Sequence, residues 1–489
     1  MTTAILAIDQ GTTNSKAVLV SADGEILARG SAPVGISHPE PGWVEQSPQR
    51  VWASVLEAIA QCLAAAPSAD LAGIAISNQR ESVTMWDAET GEALGPVISW
   101  QCRRSAPVCA SLNAAGHSGR VMALTGLPID PMFPGPKMRW LIDRAPAGRR
   151  VCLGTIDSWL IHCFTGGRVH ACDASNAARS QLFDLTQRTW SDELCDLFGV
   201  PKAFLPEVRD SASHFGQTLN VPSLADGIPI AAAIGDSHAA LFGHGAFKPG
   251  DGKVTFGTGS SIMTTLPHFI PPQNGLTTTI AWSVGGTPTY AFEGNILVSA
   301  ASLPWMAEIL GLPDVQALID LAQTAAPDGP GFVPAFVGLG APHWHADARA
   351  LFSGITFNTS RAQMARAVTD SIAFQVHDVF KVMAAQSPSP LGRLFVDGGP
   401  STNRFLMQCV ANMLSHPIIQ CDAAEASARG AAYLGGLTLG LWPDLGAVAA
   451  LPRKTDVLPP ETMDTSTPLA TWRDAIFRST LPVTSSMGE

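Results

Sequence analysis

Several features that mark large protein classes are missing from this chain. Its nine cysteines (Cys62, Cys102, Cys109, Cys152, Cys163, Cys172, Cys195, Cys409 and Cys421) are odd in number, irregularly spaced and without a CxxC pair. That excludes a disulfide framework and a cysteine zinc site, and it suits free thiols in a reducing, cytoplasmic compartment. No apolar run reaches the roughly 18 residues of a membrane-spanning helix. There is no basic tail and no run of like charge, and the net charge is −11 over 489 residues. Nucleic acid and anionic membrane are therefore poor partners. The chain opens directly on a strand pattern, so no signal peptide is expected. Low-complexity tracts and short-period repeats are absent. Charged residues make up 15% against 46% apolar, which describes a well-buried globular chain. Its length exceeds what one core fills, so two domains are expected.

What is present is organised around residues 5–24. Two apolar runs, Ile5 to Ile8 and Ala17 to Val20, read as buried strands joined by a tight polar turn. The turn offers Asp9, Gly11, Thr12, Thr13, Asn14 and Lys16. Gly11 lets backbone approach a ligand closely. Hydroxyls, amides and a lysine suit phosphate oxygens, and a carboxylate at a strand end suits hydrated Mg²⁺. An ordinary hairpin with a polar tip is the plain alternative. The spacing is neither a Walker loop nor a dinucleotide fingerprint.

Strand-then-polar-cluster patterns recur along the chain. Ser47-Pro48 opens a capped helix. The strand Ala72–Ser77 ends in Asn78-Gln-Arg80-Glu81, a donor fork beside an acceptor that can grip vicinal hydroxyls, or else a surface ion pair. Val97-Ile-Ser leads to Trp100, which can wall a polyol or fill core. Pro131 to Asp143 reads as a proline-broken loop entering a helix. Asp157 suits the first turn of another helix, and Asp173–Arg179 reads as a loop. The strand Ile228–Ile234 runs into Gly235-Asp236-Ser237, where Asp236 is either a general base or a helix N-cap.

A second polar turn, Phe256-Gly257-Thr258-Gly259-Ser260-Ser261, echoes the first and points to a duplicated architecture. The glycine cluster between Gly243 and Gly252 then divides residues 1–245 from 246–489. Further on, Gly338 to Trp344 reads as a glycine-rich loop. Arg361 to Val382 has helical periodicity. Asp397-Gly398-Gly399 is a turn against which a base or ribose can lie. Residues 424–436 form a small-residue helix, and the tail from Pro452 holds one short helix near Trp472.

Together these motifs resemble the FGGY family of carbohydrate kinases, and most closely its glycerol kinase branch. They are Asp-Gln-Gly-Thr-Thr at 9–13, Asn-Gln-Arg-Glu at 78–81, Trp-Gln-Cys-Arg-Arg at 100–104, the Lys137–Trp140 loop, Gly-Asp at 235–236, Gly-Thr-Gly at 257–259, Gly-Leu-Gly-Ala-Pro at 338–342 and Asp-Gly-Gly at 397–399. The resemblance spans Ile5 to about Trp442. It implies an α/β fold of two ribonuclease-H-like, actin-like ATPase domains flanking a deep catalytic cleft. The N-terminal domain would hold the polyol or sugar site and the C-terminal domain the nucleotide.

The resemblance also implies roles. Asp236 would deprotonate the acceptor hydroxyl. Arg80, Glu81, Trp100, Met132, Asp236, Ser237 and Ser261 would line the polyol pocket. Asp9 would hold Mg²⁺ through water. ATP would meet Thr12, Thr13, Asn14, Lys16, Gly257, Thr258 and Gly259 at its phosphates, with Ala300, Pro304, Gly399, Pro400 and Asn403 completing the nucleotide site. Family members are often dimers or tetramers, so a homodimer or homotetramer is expected.

Four departures stand out. Lys16 replaces the usual arginine, turning a fork into a point charge. Glycerol kinases typically have Tyr at Met132, Gln at Ser237 and Phe at Ser261. The expected substrate is therefore a polyol or sugar larger than glycerol (a tetritol, pentitol or ketose), with glycerol as the alternative. An actin-like ATP-binding protein without catalysis would share the turns but would not need Arg80, Glu81 and Trp100 beside a base.

Overall fold

The computed structural model describes residues 2–146, 148–421 and 425–482. Ala424 and residues 483–489, expected in the small-residue helix and the tail, lie outside the described residues.

Five strands form the first large sheet, in the spatial order Ile230–Gly235, Ala69–Asn78, Thr2–Gln10, Asn14–Ser21, Ile26–Pro33. The hairpin 2–21 is antiparallel and places Asp9 opposite Lys16. Its apolar runs, Ile5–Ile8 and Ala17–Val20, are fully buried, as runs covered on both faces should be. Asn14–Ser21 pairs antiparallel with Ile26–Pro33, while the remaining two junctions are parallel and set Asp9 beside Ser77 and Asn78 beside Gly235. Three parallel strands thus end in register. Whatever follows them, namely the 11–14 turn, Arg80-Glu81 and Asp236, gathers beyond one edge, where α/β sheets collect ligands.

The second large sheet repeats this order. Ile418–Cys421, Leu394–Asp397, Gly252–Phe256, Ser260–Leu266 and Thr287–Ile296 follow the same sequence of parallel and antiparallel neighbours. One further strand lies at each edge, Thr455–Leu458 and Thr277–Val284. The duplicated two-domain α/β architecture expected from the echoing hairpins is therefore what the chain adopts. Thr255 pairs with Asp397, which brings the 257–259 turn beside the 398–399 glycines. A Cβ on Gly398 would stand 1.9 Å from the Phe256 carbonyl oxygen, so only glycine fits there.

Helix Pro48–Ala65 is capped by Ser47, whose hydroxyl accepts from the Arg50 amide at 3.2 Å. It buries Val51, Val55, Ala58, Ile59 and Cys62 at helical spacing. Two small-residue helices, Asp236–Gly243 and Ala426–Thr438, cross at contact distance. A Cβ on Gly430 would meet the Ala239 carbonyl oxygen at 1.8 Å, and one on Gly243 would meet that of Ala426 at 2.6 Å. Gly435 of the second helix lies against Ala75 and Ile5 of the first sheet. The long periodic stretch is helix Arg361–Gln386, opened by a Ser360–Gln363 capping box.

One local reading changes, one holds, and one strand is new. Residues 174–178 are a buried helix rather than a loop. Five residues are too few for periodicity to register, but Asp173 caps it by accepting from the Ser175 and Asn176 amides at 2.9 Å. The tail helix is Ser466–Ser479, with Trp472 buried. It follows the edge strand Thr455–Leu458, whose pattern has no alternation to reveal it.

Candidate active site

The first turn is held from behind. The Gly11 amide donates to the Asn14 carbonyl at 2.9 Å. Gln46 Nε2 donates to the Thr12 carbonyl at 2.7 Å, and Gln79 Nε2 joins Gln10 and Gln46 at 3.0 and 2.9 Å. These amides brace the turn from below, with Thr13 and Asn14 facing solvent. Asp9 accepts from Ser77 Oγ at 3.0 Å. Burial pushes its carboxyl up to about 6, with Asp236 pushing the same way and Lys16 opposing. Lys16 Nζ lies 3.1 Å from Glu425 Oε2, so its charge is presently on a carboxylate of the other half.

Beyond the neighbouring strands lies an alternating chain of charges. Arg80 Nε is 3.3 Å from Asp236 Oδ1, and its Nη1 donates to Glu293 Oε1 at 2.8 Å. Glu293 Oε2 faces Arg179 Nη1 at 2.6 Å, and Arg179 Nε donates to Glu81 Oε1 at 2.7 Å. Glu81 has φ +60°, an uncommon value for a side-chain-bearing residue. Its carbonyl accepts from buried Lys137 Nζ at 3.0 Å, and the same nitrogen reaches the Met132 carbonyl at 2.5 Å. Burial pulls the Lys137 amine down to about 7. Met132 is thereby tied to Glu81, though the two stand 51 positions apart in sequence. Arg80–Glu81 is no surface pair.

Asp236 is the first residue of its helix. Gly235 holds the cap position without a side-chain bond, so capping is not what Asp236 does. Its carboxylate takes the Ser237 amide at 2.6 Å, and its side chain is 37% exposed, open for a ligand. Burial raises its pKa, while Arg80 and the Ser237 amide pull it back. Ser237 Oγ sits 3.2 Å from Ser261 Oγ, which donates to Glu293 Oε1 at 3.2 Å. On the other side, fully buried Lys253 donates to Ser237 Oγ at 2.9 Å and to Thr255 Oγ1 at 2.5 Å. A hydroxyl pair thus bridges a lysine and a carboxylate behind Asp236. Trp100 is 37% exposed, and its Nε1 donates to Thr12 Oγ1 at 3.0 Å.

The second turn is closed by the Gly257 amide donating to the Gly259 carbonyl at 2.8 Å. Ser299 and Ala300 donate to the Thr258 and Gly257 carbonyls at 2.7 and 3.2 Å, so Ala300 abuts this turn. Pro304 lies exposed on the helix Ser302–Ile309 that follows. Gly399 has open space where a Cβ would be. Asn403 caps the helix Arg404–Leu414 by accepting from the Leu406 amide at 3.0 Å, which occupies one of its polar atoms. Asp397 is held down at about 2: burial opposes this, but His244 at 2.5 Å and Lys253 outweigh it.

Arg179, Lys253 and Glu293 are the residues that the sequence pattern did not mark. Glu293 is a charged residue inside an apolar strand, which was the available signal, because such residues are buried only when paired; Arg179 and Lys253 have polar or glycine neighbours and carry no such mark. Among the described residues no cluster of His, Cys, Asp and Glu is arranged to hold a metal by itself, and no helix is long and apolar enough to cross a membrane.

The chain is similar to known proteins over nearly its whole length. The profile of the FGGY family of carbohydrate kinases, N-terminal domain, matches residues 4–243, and that of the C-terminal domain matches residues 252–439. An apulose kinase of Pectobacterium atrosepticum is 43% identical, over 98% of this chain and 99% of its own length. A glycerol kinase of Symbiobacterium thermophilum is 42% identical, over 97% and 98%. The crystal structure of Plasmodium falciparum glycerol kinase with ADP superposes with a TM-score of 0.93 at 29% identity, covering 99% of both chains.

Proposed function

Since the chain belongs to the FGGY family of carbohydrate kinases, and is thereby a phosphotransferase acting on an alcohol group, we propose that it phosphorylates a primary hydroxyl of a polyol or sugar larger than glycerol. A tetritol, a pentitol or a ketose fits this description. The observation that carries this is the Ser237–Ser261 pair at 3.2 Å, held between Lys253 and Glu293. A pocket wall made of hydroxyls asks for substrate oxygens. These hydroxyls already bond each other, Lys253 and Glu293, and their small side chains leave room beside them that a longer acceptor fills and glycerol does not. A 43% identical relative named apulose kinase supports the larger acceptor. The 42% identical glycerol kinase and the 0.93 superposition support glycerol as the second reading.

In this reading residues 1–245 form the domain that holds the acceptor and residues 246–489 the domain that holds ATP. Arg80 and Glu81 donate to and accept from adjacent hydroxyls. Trp100 presents its face to the carbon chain, and Met132 lines the same wall. Asp236 takes the proton of the attacking hydroxyl, since it is a half-open carboxylate whose ionisation Arg80 sustains. The residues fit Mg·ATP: a half-buried carboxylate at Asp9, two glycine-bearing turns, and open space at Gly399. ATP supplies the γ-phosphoryl group and Mg²⁺ offsets its charge. Thr12, Thr13, Asn14 and Lys16 on one turn, with Gly257, Thr258 and Gly259 on the other, hold the phosphates. Ala300, Pro304, Gly399, Pro400 and Asn403 border the nucleoside. Exclusion of water by apposed domains protects the phosphoryl group from hydrolysis. We place the enzyme in the cytoplasm, where its buried thiols stay reduced, as a homodimer or homotetramer.

The test is kcat/KM for glycerol against four- and five-carbon polyols and ketoses. A longer acceptor should win; glycerol ahead by about tenfold ends that reading. Asp236→Asn should lower kcat by orders of magnitude with little change in KM. A wild-type rate in that variant removes Asp236 from the chemistry.

A further inference from the structure

We propose that Glu293 is a positioning residue, which ties the orientation of Arg80, and through it the base Asp236, to the placement of the second sheet. This rests on the reading that Arg80 and Asp236 face the acceptor.

Glu293 is fully buried on the strand Thr287–Ile296, paired with Met263 on one side and Thr277 on the other. One oxygen receives Arg80 Nη1 at 2.8 Å and Ser261 Oγ at 3.2 Å. The other faces Arg179 Nη1 at 2.6 Å. Asp236, Arg80, Arg179 and Glu81 all come from the first half, so the carboxylate standing between the two guanidiniums is the one contributed by the second sheet. Buried charges persist only when paired on every side. If the second sheet shifts, two arginines lose their shared counter-charge together, and Arg80 loses the contact that fixes its plane. Acceptor grip is then a property of the two sheets in their observed relation, not of Arg80 alone.

The experiment uses the full-length enzyme with its best acceptor. Glu293→Gln should raise the acceptor KM by about tenfold or more, leaving the ATP KM within about twofold. The groups facing Asp236 are Asp9, Arg80, Glu81 and Lys253, and those facing Glu293 are Arg80, Arg179, Lys253 and His238, the last of these kept neutral by burial. Removing the Glu293 charge leaves the field of Arg80 less compensated at Asp236. The acid limb of kcat/KM should therefore move to lower pH. Glu293→Asp keeps the charge but shortens the reach, so it should retain the wild-type limb while its acceptor KM stays raised. That variant carries the test by itself if Glu293→Gln does not fold. A wild-type acceptor KM in Glu293→Asp, or equal rises in acceptor and ATP KM in either folded variant, overturns the proposal. An unchanged acid limb in Asp236→Asn would instead strike the underlying site reading.

Discussion

Trp100 Nε1 donates to Thr12 Oγ1 at 3.0 Å, so the proposed wall of the acceptor pocket is fastened to the tip of the first polar turn. The two residues stand 88 positions apart. A shift of the turn therefore tilts the indole.

Trp100→Phe keeps an aromatic face and deletes that bond. At a net value near 1 kcal/mol, acceptor kcat/KM should fall about fivefold. Trp100→Ala removes the wall as well and should fall further. Steady-state kinetics on both variants decides it: equal losses would mean that the ring face contributes nothing.

Arg80 lowers the Asp236 pKa that burial raises. Arg80→Gln removes the cation, so the carboxylate takes up its proton at higher pH. On the proposed reading Asp236 acts ionised as the base, so the rate rises with pH and the acid limb of kcat/KM should move upward. This is the opposite direction from Glu293→Gln. A pH-rate profile in which both variants shift alike contradicts the charge chain.

Lys16 is partly exposed and rests on Glu425 at 3.1 Å. Lys16→Arg offers a fork that can hold the carboxylate and a phosphate oxygen together, so the ATP KM should drop by a few fold. Lys16→Ala should raise it, with the acceptor KM little moved. An unchanged ATP KM in both places Lys16 outside the nucleotide site.

At the helix crossing, the atom nearest a new Cβ on Gly430 is a backbone oxygen, which no rotamer change can move aside. Gly430→Ala must push the helices Asp236–Gly243 and Ala426–Thr438 apart. It should cost roughly 1–3 kcal/mol, read as a lower midpoint in urea unfolding. Stability equal to wild type would show that the crossing is looser than drawn.

The elements legible in the sequence were those with local chemistry: two glycine-bearing turns between apolar runs, Ser47-Pro48 at a helix start, and Gly235-Asp236 after a strand. Their legibility comes from short range, since a turn advertises itself in its own residues. The echo between residues 9–16 and 256–261 reached further and announced the duplicated sheets. What stayed hidden were pairings across the chain. Glu293 reads as one acid in a strand, and only the fold shows it between Arg80 and Arg179. Lys253 looks like a strand-edge lysine until Ser237 and Thr255 are seen to surround it. The helix 174–178, which positions Arg179, was too short for a period, and its Asp173 cap was its one available mark.

Ser237 begins on a helix of the first half and Ser261 on a strand of the second, and their hydroxyls touch. The proposed acceptor site that they border is thus a seam rather than a hole in one body. On the proposed reading, an acceptor of the wrong length need not be turned away at an entrance. It is enough that it wedges the seam ajar, which parts the two serines and lets bulk water in beside the phosphoryl group.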